Sequence, residues 1–525
     1  MTKRTSTTQL NKALTIACLS YALLANSSFA TEPPAIHFKV QSFNVEGALP
    51  VPIQTINDYL HPLEQRDYSL KDLQGVSSGL EQLLQAQGYG FYRVVLPPQT
   101  LNAGKVTLKV VFSPLGTIDI SGNQIFSRDN ILASLPILKQ GTAPNTQDVA
   151  SALKIANRHP SKQVQIVFKQ GKAADQIDAD IKVREQRPYQ ASLLANNFGT
   201  SSSGAYRLTG ALQYSNLWGR DHIINASYTT SPDNADNVQQ YGGSYSLPLY
   251  ALKASLNAYY AYSNVNTGIV ASDLTVTGSG EMYGIHYQQI LPKFANYEHS
   301  LDIGIDNRYF SSDVSSAGVI ANSTVVRSAP FSVLYRGDYG WQSVQAGYSL
   351  QWLKNTDFGE HNNQKDYVSS TGSNNAKQNW DMLRYSANLT ANVQQWLIQT
   401  HFIGQYSSTP MIAGEQLGLG GSYDIRGYAQ RETSADSGEI AKLEITAPAW
   451  QQLRFFAFYD VGHGYLSHAT ATQMKDWILS GAGIGARWQW RDYLMANIAF
   501  ATAINNGINT HAGDSRIHAN IVLKY

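Results

Sequence analysis

From Pro188 to the carboxyl end, 338 residues, apolar and polar side chains alternate with period two, and nowhere do roughly 18 apolar residues run together as a membrane helix requires. A helix cannot use that pattern, because its buried face recurs every three or four residues. A strand with one apolar and one polar face can. In LKASLNAYYAYS, Leu252, Ala254, Leu256, Ala258, Tyr260 and Tyr262 share a face, while Lys253, Ser255, Asn257 and Ser263 take the other, blurred only by Tyr259 and Ala261. In SLDIGIDNRY, Leu301, Ile303 and Ile305 oppose Asp302, Gly304, Asp306 and Arg308. In RYSANLTANV, Tyr385, Ala387, Leu389, Ala391 and Val393 oppose Ser386, Asn388, Thr390 and Asn392. Strands of about ten residues with this character suit a transmembrane antiparallel β-barrel, apolar towards lipid and polar towards the lumen. A soluble sandwich also alternates, but rarely for this length. The 31 tyrosines, 9 tryptophans and 41 glycines fit aromatic-rich strands and tight turns.

Counting back from RIHANIVLKY, the strands LMANIAFATAI, ILSGAGIGARWQW, LRFFAFYDVG, GEIAKLEITA and WLIQTHFIGQYSS are joined by connections of alternating length, short at PAWQQ and WRDY and long at HGYLSHATATQMKDW and NNGINTHAGDS. Short turns belong to the periplasmic end of an outer-membrane barrel, so both barrel termini are expected there. Tyr525 shares a face with Leu523 and Ile521, an aromatic end to an outward-facing strand. Sixteen strands, at about 21 residues each with its connection, is the preferred count; fourteen or eighteen also fit. With sixteen, GGSYDIRGYAQR (420–431) lies in the sixth outside loop, between strands eleven and twelve.

Ahead of the barrel, residues 1–30 read as a signal peptide. Lys3, Arg4 and Lys12 precede an apolar run from Ala13 to Ala25, and Ser28-Phe29-Ala30 sets the cut after Ala30. Apolar sequence continues past Cys18, which disfavours a lipoprotein. The only cysteine therefore leaves with the signal, so neither a disulfide scaffold nor thiol chemistry is expected. Losing three cations and no acid takes the formal charge from +1 to −2, which argues against nucleic acid as a partner.

Between residues 38 and 187 the pattern is mixed. A strand (FKVQSFNVEG), two helices (VPIQTINDYL and SLKDLQGVSSGLEQLLQAQG) and two strands (FYRVVL and KVTLKVVF) are followed by the same order in GTIDISGN, SRDNILASL, NTQDVASALKIANRH, KQVQIVFKQG and QIDADIKVRE. Leu73, Val76, Leu80, Leu83 and Leu84 give the second helix one apolar face, and Gly88 marks its end. The economical interpretation is two copies of one small α+β module, 38–113 and 114–187, after a short segment 31–37 and before the barrel at 188–525.

Several stretches together carry a resemblance. They are LPPQTLNAGKVTLKVV, GTIDISGN, NNFGTSSSGAYR, NLWGRDH, GQYSSTPMIAGEQLGLGGSYDIRGY and FAFYDVGHG. Over nearly the whole chain after residue 30, the sequence resembles the outer-membrane transporters of two-partner secretion, the hemolysin secretion/activation type, in which POTRA modules precede a transmembrane barrel. The family's loop signature matches Ile425, Arg426, Gly427 and Tyr428, and its strand signature matches Phe456, Phe458, Asp460 and Gly462, with 34 residues between Arg426 and Asp460. By spacing alone, Arg426 reads first as a residue of a solvated loop and Asp460 as one that merely lines a polar lumen. The resemblance is what pairs them: a loop over 409–437 folds into the lumen and carries the guanidinium to the carboxylate, a geometry that admits two parallel hydrogen bonds. Parity agrees, since Phe455, Ala457, Tyr459 and Val461 share the face opposite Phe456, Phe458 and Asp460, and a carboxylate facing lipid is costly. Phe456 and Phe458 then form a packing shelf, and Gly420, Gly421 and Gly427 allow tight turns beside the wall.

The resemblance further implies a large secreted exoprotein as partner, outer-membrane lipid as surroundings, a monomer, and neither enzyme activity nor cofactor. An extended client could add to a sheet edge near strands 91–96 or 163–168. The alternative is an assembly factor that inserts other barrels, although such relatives generally carry three or more modules. Nucleotide-loop, G-x-S-x-G, H-E-x-x-H and C-x-x-C motifs are all missing, and His463 reads as a loop residue rather than a ligand. Two departures stand out. TEPPAIH leaves no room for the amino-terminal plug helix of many relatives, so either the sixth loop and others close the pore or the signal boundary lies elsewhere. The Asp-Asn pair common at the start of the barrel is here Asn196-Asn197.

Overall fold

The computed structural model describes residues 37–100, 103–200, 203–265, 268–271, 274–276, 279–316, 319–469 and 473–525. The signal peptide and residues 31–36 therefore lie outside the described residues. Two units are described separately: residues 37–86 with 92–111, and residues 87–91 with 112–525.

In the first unit the helix Leu70–Ala86 begins where Ser69 and Asp72 bond reciprocally, Asp72 N–H donating to Ser69 Oγ (3.2 Å) and Ser69 N–H to Asp72 Oδ2 (2.9 Å). Leu73, Val76, Leu80 and Leu84 are buried and Leu83 half-buried, as the helical spacing requires. They pack over a sheet ordered Ser42–Gly47, Lys105–Phe112, Tyr92–Val95, in which Ser42–Gly47 runs parallel to Lys105–Phe112. The expected first strand is broken at Gln41, and its front piece, Phe38–Val40, turns away to pair with Arg66–Tyr68, a strand the sequence did not signal.

The second unit opens with the same plan. Strands Leu115–Ser121, Ile177–Glu185 and Lys162–Gln170 form its sheet in that order, and helices Arg128–Ala133 and Thr146–Ala156 are capped by Ser127 and Asn145. Tyr92–Val95 and Lys162–Gln170 are thus edge strands of their respective sheets. This second module docks on the turn end of the barrel through Lys162, whose buried ammonium bonds Asp221 of the turn 218–221 and Asn130 Oδ1 (2.7 Å). Burial pushes the Lys162 ammonium down from its ordinary value, and the Asp221 carboxylate opposes that shift. Tyr250 of the next turn donates to the same Asp221 (2.6 Å), and Lys253 reaches Asp148 (3.0 Å).

The remainder is a closed antiparallel barrel of seventeen strand segments that make sixteen strands. Val319–Ser328 and Pro330–Trp341 are one strand interrupted at Ala329: both pair with Tyr297–Ser316 in a single register, Arg308 opposite Ser328 and Ile305 opposite Phe331. Pro330, having no N–H to donate, sits at the break. Short turns alternate with long loops around the rim, and the segment between strands eleven (Trp396–Ser407) and twelve (Ser437–Thr446) lies at the long-loop end. The hairpin Gln394-Gln395 is a two-residue turn with both residues at positive φ (50° and 81°), as the twist of such a connection demands. Five of the nine tryptophans, Trp218, Trp341, Trp396, Trp450 and Trp490, are exposed at the short-turn end, an aromatic belt at one water–lipid boundary.

Strands one (Tyr189–Asn196) and sixteen (Ser515–Lys524) close the barrel with five residue pairs, from Asn520 opposite Asn196 to Lys524 opposite Ser192. Asn197 extends that seam with its carboxamide, donating to the Ile517 carbonyl (2.7 Å) and accepting from the Ala519 amide (2.8 Å). Asn196 instead accepts from Phe198 N–H (2.9 Å), a bond that Asp would also accept, so the departure at this position leaves the local geometry satisfied.

The outward face is the apolar one throughout, with Leu212, Ile285, Ile305, Ile484 and Ile498 all exposed on it. Ile285→Arg, halfway along strand six (Gly280–Ile290), is expected to destabilise the barrel by about 2–4 kcal/mol in bilayers. Asn388→Lys, on the exposed lumen face of strand ten (Asp381–Val393), should cost much less in the same denaturant titration of vesicle-embedded protein. Equal costs would mean the two faces are wrongly assigned.

Candidate functional site

After strand eleven the chain does not stay outside the barrel. It enters the lumen as a hairpin, Leu417–Leu419 pairing antiparallel with Thr433–Ala435, and its tip carries Ile425, Arg426, Gly427 and Tyr428 to the wall. The tip is closed by Gly421 N–H donating to Ile425 O (3.0 Å) and Arg431 N–H donating to Gly420 O (3.0 Å).

Arg426 meets Asp460 of strand thirteen (Leu453–Tyr465) side-on: Nε donates to Oδ2 at 2.7 Å and Nη2 to Oδ1 at 2.8 Å, while the Arg426 backbone N–H adds a third bond to Oδ2 at 3.1 Å. Asp460 is fully buried and Arg426 is 8% exposed. Glu444, which faces the lumen from strand twelve, takes the remaining arm, accepting from Arg426 Nη1 at 3.1 Å. Arg487 of strand fourteen (Asp476–Trp490) neutralises the other Glu444 oxygen at 2.6 Å. Both guanidinium planes lie on aromatic rings, Arg426 at 3.4 Å from the Phe458 centroid and Arg487 at 4.3 Å from that of Phe456. The two phenylalanines are a cationic shelf as well as an apolar one.

The neighbours of Arg426 fix the tip by shape. Ile425 and Tyr428 are buried against Ile440, Leu479 and Ala503 of the wall. A Cβ on Gly462 would stand 2.5 Å from Ile425 Cδ1, so a glycine there makes the seat for that side chain. Gly427 needs its positive φ of 101° to turn beside Ala503, and its N–H donates to His518 Nε2 (3.2 Å), which must be unprotonated to accept. The Tyr428 hydroxyl accepts from the Ser480 and Asn505 amides (3.2 and 3.1 Å) and donates towards their carbonyls. Glu432 ties the returning arm to the loop after strand fifteen (Leu494–Ala503), accepting from Thr510 N–H (2.8 Å) and Thr510 Oγ1 (2.8 Å).

All eight residues singled out in the two signatures meet at this one place. Those missed are Glu444 and Arg487, which strand parity places in the lumen but no motif marks, and a second charged cluster around Glu415 of the same loop. There Arg308 Nη1 donates to both Glu415 oxygens (2.9 and 2.8 Å), Arg384 Nη2 to one of them (3.1 Å) and Ser328 Oγ to the other (2.6 Å). The expectation for His463 was wrong: it lies within strand thirteen, opposite Glu439, because that strand runs on past the Asp-x-Gly signature to Tyr465. Among the described residues no group of His, Cys, Asp and Glu side chains has metal-site geometry.

Comparison with known proteins agrees with this architecture. The family model described as haemolysin secretion/activation protein ShlB/FhaC/HecB matches residues 175–488, and that of the ShlB-type POTRA domain matches residues 38–112. The chain is similar to the outer membrane transporter CdiB of Dickeya dadantii, 22% identical over 421 residues that cover 77% of this chain and 72% of that protein. It is also similar to the heme/hemopexin transporter protein HuxB of Haemophilus influenzae, 20% identical over 469 residues covering 85% and 79%. Among solved structures, CdiB from Escherichia coli superposes with a TM-score of 0.74 at 17% identity, covering 95% of this chain and 92% of that one. A BamA from Haemophilus ducreyi lacking POTRA domains 1–3 superposes at 0.51 with 14% identity, covering 93% and 100%.

Removing one partner of a buried pair leaves the other uncompensated, at a cost of about 3–5 kcal/mol. Arg426→Ala should therefore release the loop tip, read as faster trypsin cleavage at Arg431 in the intact barrel. Arg426→Lys, which keeps charge but loses the planar fork, should fall between Ala and the native residue. Cleavage at the native rate in Arg426→Ala would show that the apolar seat holds the tip without the ion pair.

Proposed function

The chain belongs to the haemolysin secretion/activation protein family and is an outer-membrane transporter, and from that premise we propose that it exports one large exoprotein of the two-partner secretion type. In this reading the modules 38–113 and 114–187 lie in the periplasm and recognise the client unfolded. The barrel 188–525 then conducts it to the cell surface. The observation that carries the reading is the lumen-folded hairpin held at Arg426 by Asp460 and Glu444. A passive porin has no use for a buried ion pair that fills its own channel, whereas a conduit for an occasional polypeptide needs a stopper that can be withdrawn.

Recognition is assigned to the sheet edges. Tyr92–Val95 and Lys162–Gln170 each lack a neighbouring strand on one side in their sheets; Glu81 and Ser77 already hold the outward main-chain groups of Val94 and Asn157 those of Val164, so an extended client would bond through its main chain beyond them, chiefly past Val164. Alternating exposure along Lys162–Gln170 leaves Gln163, Gln165 and Val167 outward, available to set side-chain preference without the client being folded. An unfolded chain also accounts for the driving force. Folding at the cell surface withdraws the emerged segment from the exchange and makes transport vectorial without nucleotide.

Arg426, Gly427, Tyr428 and Ile425 act as the latch and Asp460, Phe456, Phe458 and Gly462 as its keeper. No step is chemical: the latch exchanges hydrogen bonds, and neither a catalytic group nor a cofactor is assigned.

Arg426→Ala and Asp460→Ala are expected to leave normal amounts of barrel in the outer membrane while reducing export of the partner at least tenfold. Normal export by both variants at matched barrel abundance would refute the latch. Deletion of the whole chain should remove one large protein from the culture medium. A general fall in outer-membrane barrels would instead support the assembly-factor reading.

A further inference from the structure

The second charged cluster is built asymmetrically. Glu415, fully buried, belongs to the sixth loop, but each side chain that holds its carboxylate belongs to the wall: Arg308 on strand seven (Tyr297–Ser316), Ser328 on strand eight and Arg384 on strand ten. The wall also supplies what positions those arginines. Arg308 Nη2 donates to Asp306 Oδ2 (2.9 Å), Arg384 Nε to Gln405 Oε1 (2.9 Å), and Tyr259 Oη to Asp306 Oδ1 (2.6 Å). Behind Asp306, His286 lies with Nδ1 at 2.8 Å from Asp302 and Nε2 at 3.0 Å from Asp306. Both ring nitrogens face carboxylate oxygens, so both donate and the ring is cationic.

The charges then balance in one way only. Two arginines and the imidazolium stand against Asp302 and Asp306, leaving the wall with one positive charge, and Glu415 cancels it. Without Glu415, Arg308 keeps Asp306 but Arg384 loses the one carboxylate that pairs with it among the described residues. The wall therefore forms a finished receptor for a carboxylate, with two guanidinium donors and a hydroxyl in place and Glu415 as the resident occupant.

We infer that this socket is a binding site for acidic side chains of the exported polypeptide, which takes the place of Glu415 when the sixth loop withdraws. The inference rests on the reading of the chain as a polypeptide exporter. Its physical warrant is the cost of the alternative. Drawing Glu415 out of a buried cluster leaves the socket cationic and unpaired, a heavy penalty, whereas an arriving Asp or Glu of the client exchanges one carboxylate for another at little net cost. The client would in this way promote the loop's departure by competing for its anchor. An unfolded chain can do this because its carboxylates are reachable one at a time.

The exchange can be read in single-channel currents of the full chain in planar bilayers, with an alternating Gly-Glu peptide added and an alternating Gly-Gln peptide of equal length as its neutral match. The Gly-Glu peptide should interrupt the current at a concentration roughly tenfold below that of Gly-Gln, the equivalent of one charge-assisted contact. Glu415→Gln weakens the resident occupant and should widen that margin. The Arg308→Gln/Arg384→Gln pair should abolish it, while Arg308→Lys/Arg384→Lys, which keeps the charge, should retain part of it. Retention of the native heat-modifiable migration on gels identifies the variants that still hold a folded barrel, and the lysine pair keeps the test decisive if the glutamine pair does not fold. Equal potency of the two peptides, or a margin that survives loss of both arginines in a folded barrel, overturns the socket. Neither result depends on secretion in cells, so the failure of the exporter reading is detected separately, by the deletion phenotype.

Discussion

A chain that crosses a bilayer in strands has no water with which to satisfy its backbone, so its sheet must close on itself, and closing sixteen strands encloses a lumen that something must fill. Much of the rest of the barrel answers that constraint. The lipid face takes the apolar parity and the lumen face the polar one, which turns every lumen-facing charge into a group that needs a partner. A wall carrying Asp460, Glu444, Asp306, Arg308 and Arg384 could be satisfied by water alone. Here, a hairpin from the long-loop end supplies Arg426 and Glu415 instead, each with a charge of the sign in which its neighbours are short.

The two contacts of that hairpin divide the work. At Arg426 the loop gives a cation to carboxylates on strands twelve and thirteen; at Glu415 it gives an anion to guanidiniums on strands seven and ten. A rigid plug could be held at one point. Separated anchors suit the proposed function, in which the hairpin is ordered when seated and leaves for the client, because a single anchor would let the remainder swing within the lumen. Around the anchors the packing is apolar. Leu419, Ile425, Tyr428 and Ala435 bury against the wall on one side, and Met411 and Ile412 join Tyr367 and Trp380 of the 356–380 loop on the other. Apolar contact supplies area and the ion pairs supply register, the usual division between non-directional and directional forces.

Much of this was legible in the residues. Period-two alternation fixed which face of strands such as Leu301–Ile305 meets lipid, and alternating connection lengths placed 420–431 in a loop between strands eleven and twelve. The helix caps at Ser69, Ser127 and Asn145 lie where the apolar spacing begins. What was not legible is what depends on distance in space. Glu415 and Arg308 are 107 residues apart, and nothing local says that they touch. Parity could place Glu444 in the lumen but not choose which cation it would meet. That Phe38–Val40 separates from Ser42–Gly47 was not legible because its partner, Arg66–Tyr68, is a three-residue segment too short to show periodicity. His463 was misplaced because Asp-x-Gly reads as the end of a strand, whereas Gly462 and Gly464 continue it, one making space for Ile425 and the other for Leu419.

The choice of arginine at the tip follows from the same geometry. A lysine could reach one carboxylate, but three surfaces meet at position 426: Asp460 side-on, Glu444 at the far nitrogen and the Phe458 ring below the plane. Only a flat, delocalised cation satisfies all three at once, and its weak hydration lowers the cost of taking it out of water. The same flatness makes the contact all-or-none. A shift of the tip along the wall at once breaks the Asp460 fork, tilts the ring contact and leaves Glu444 to Arg487 alone, so intermediate positions are poorly stabilised. That property suits the proposed export function, in which the tip acts as a two-position latch, seated or withdrawn, rather than as a graded constriction.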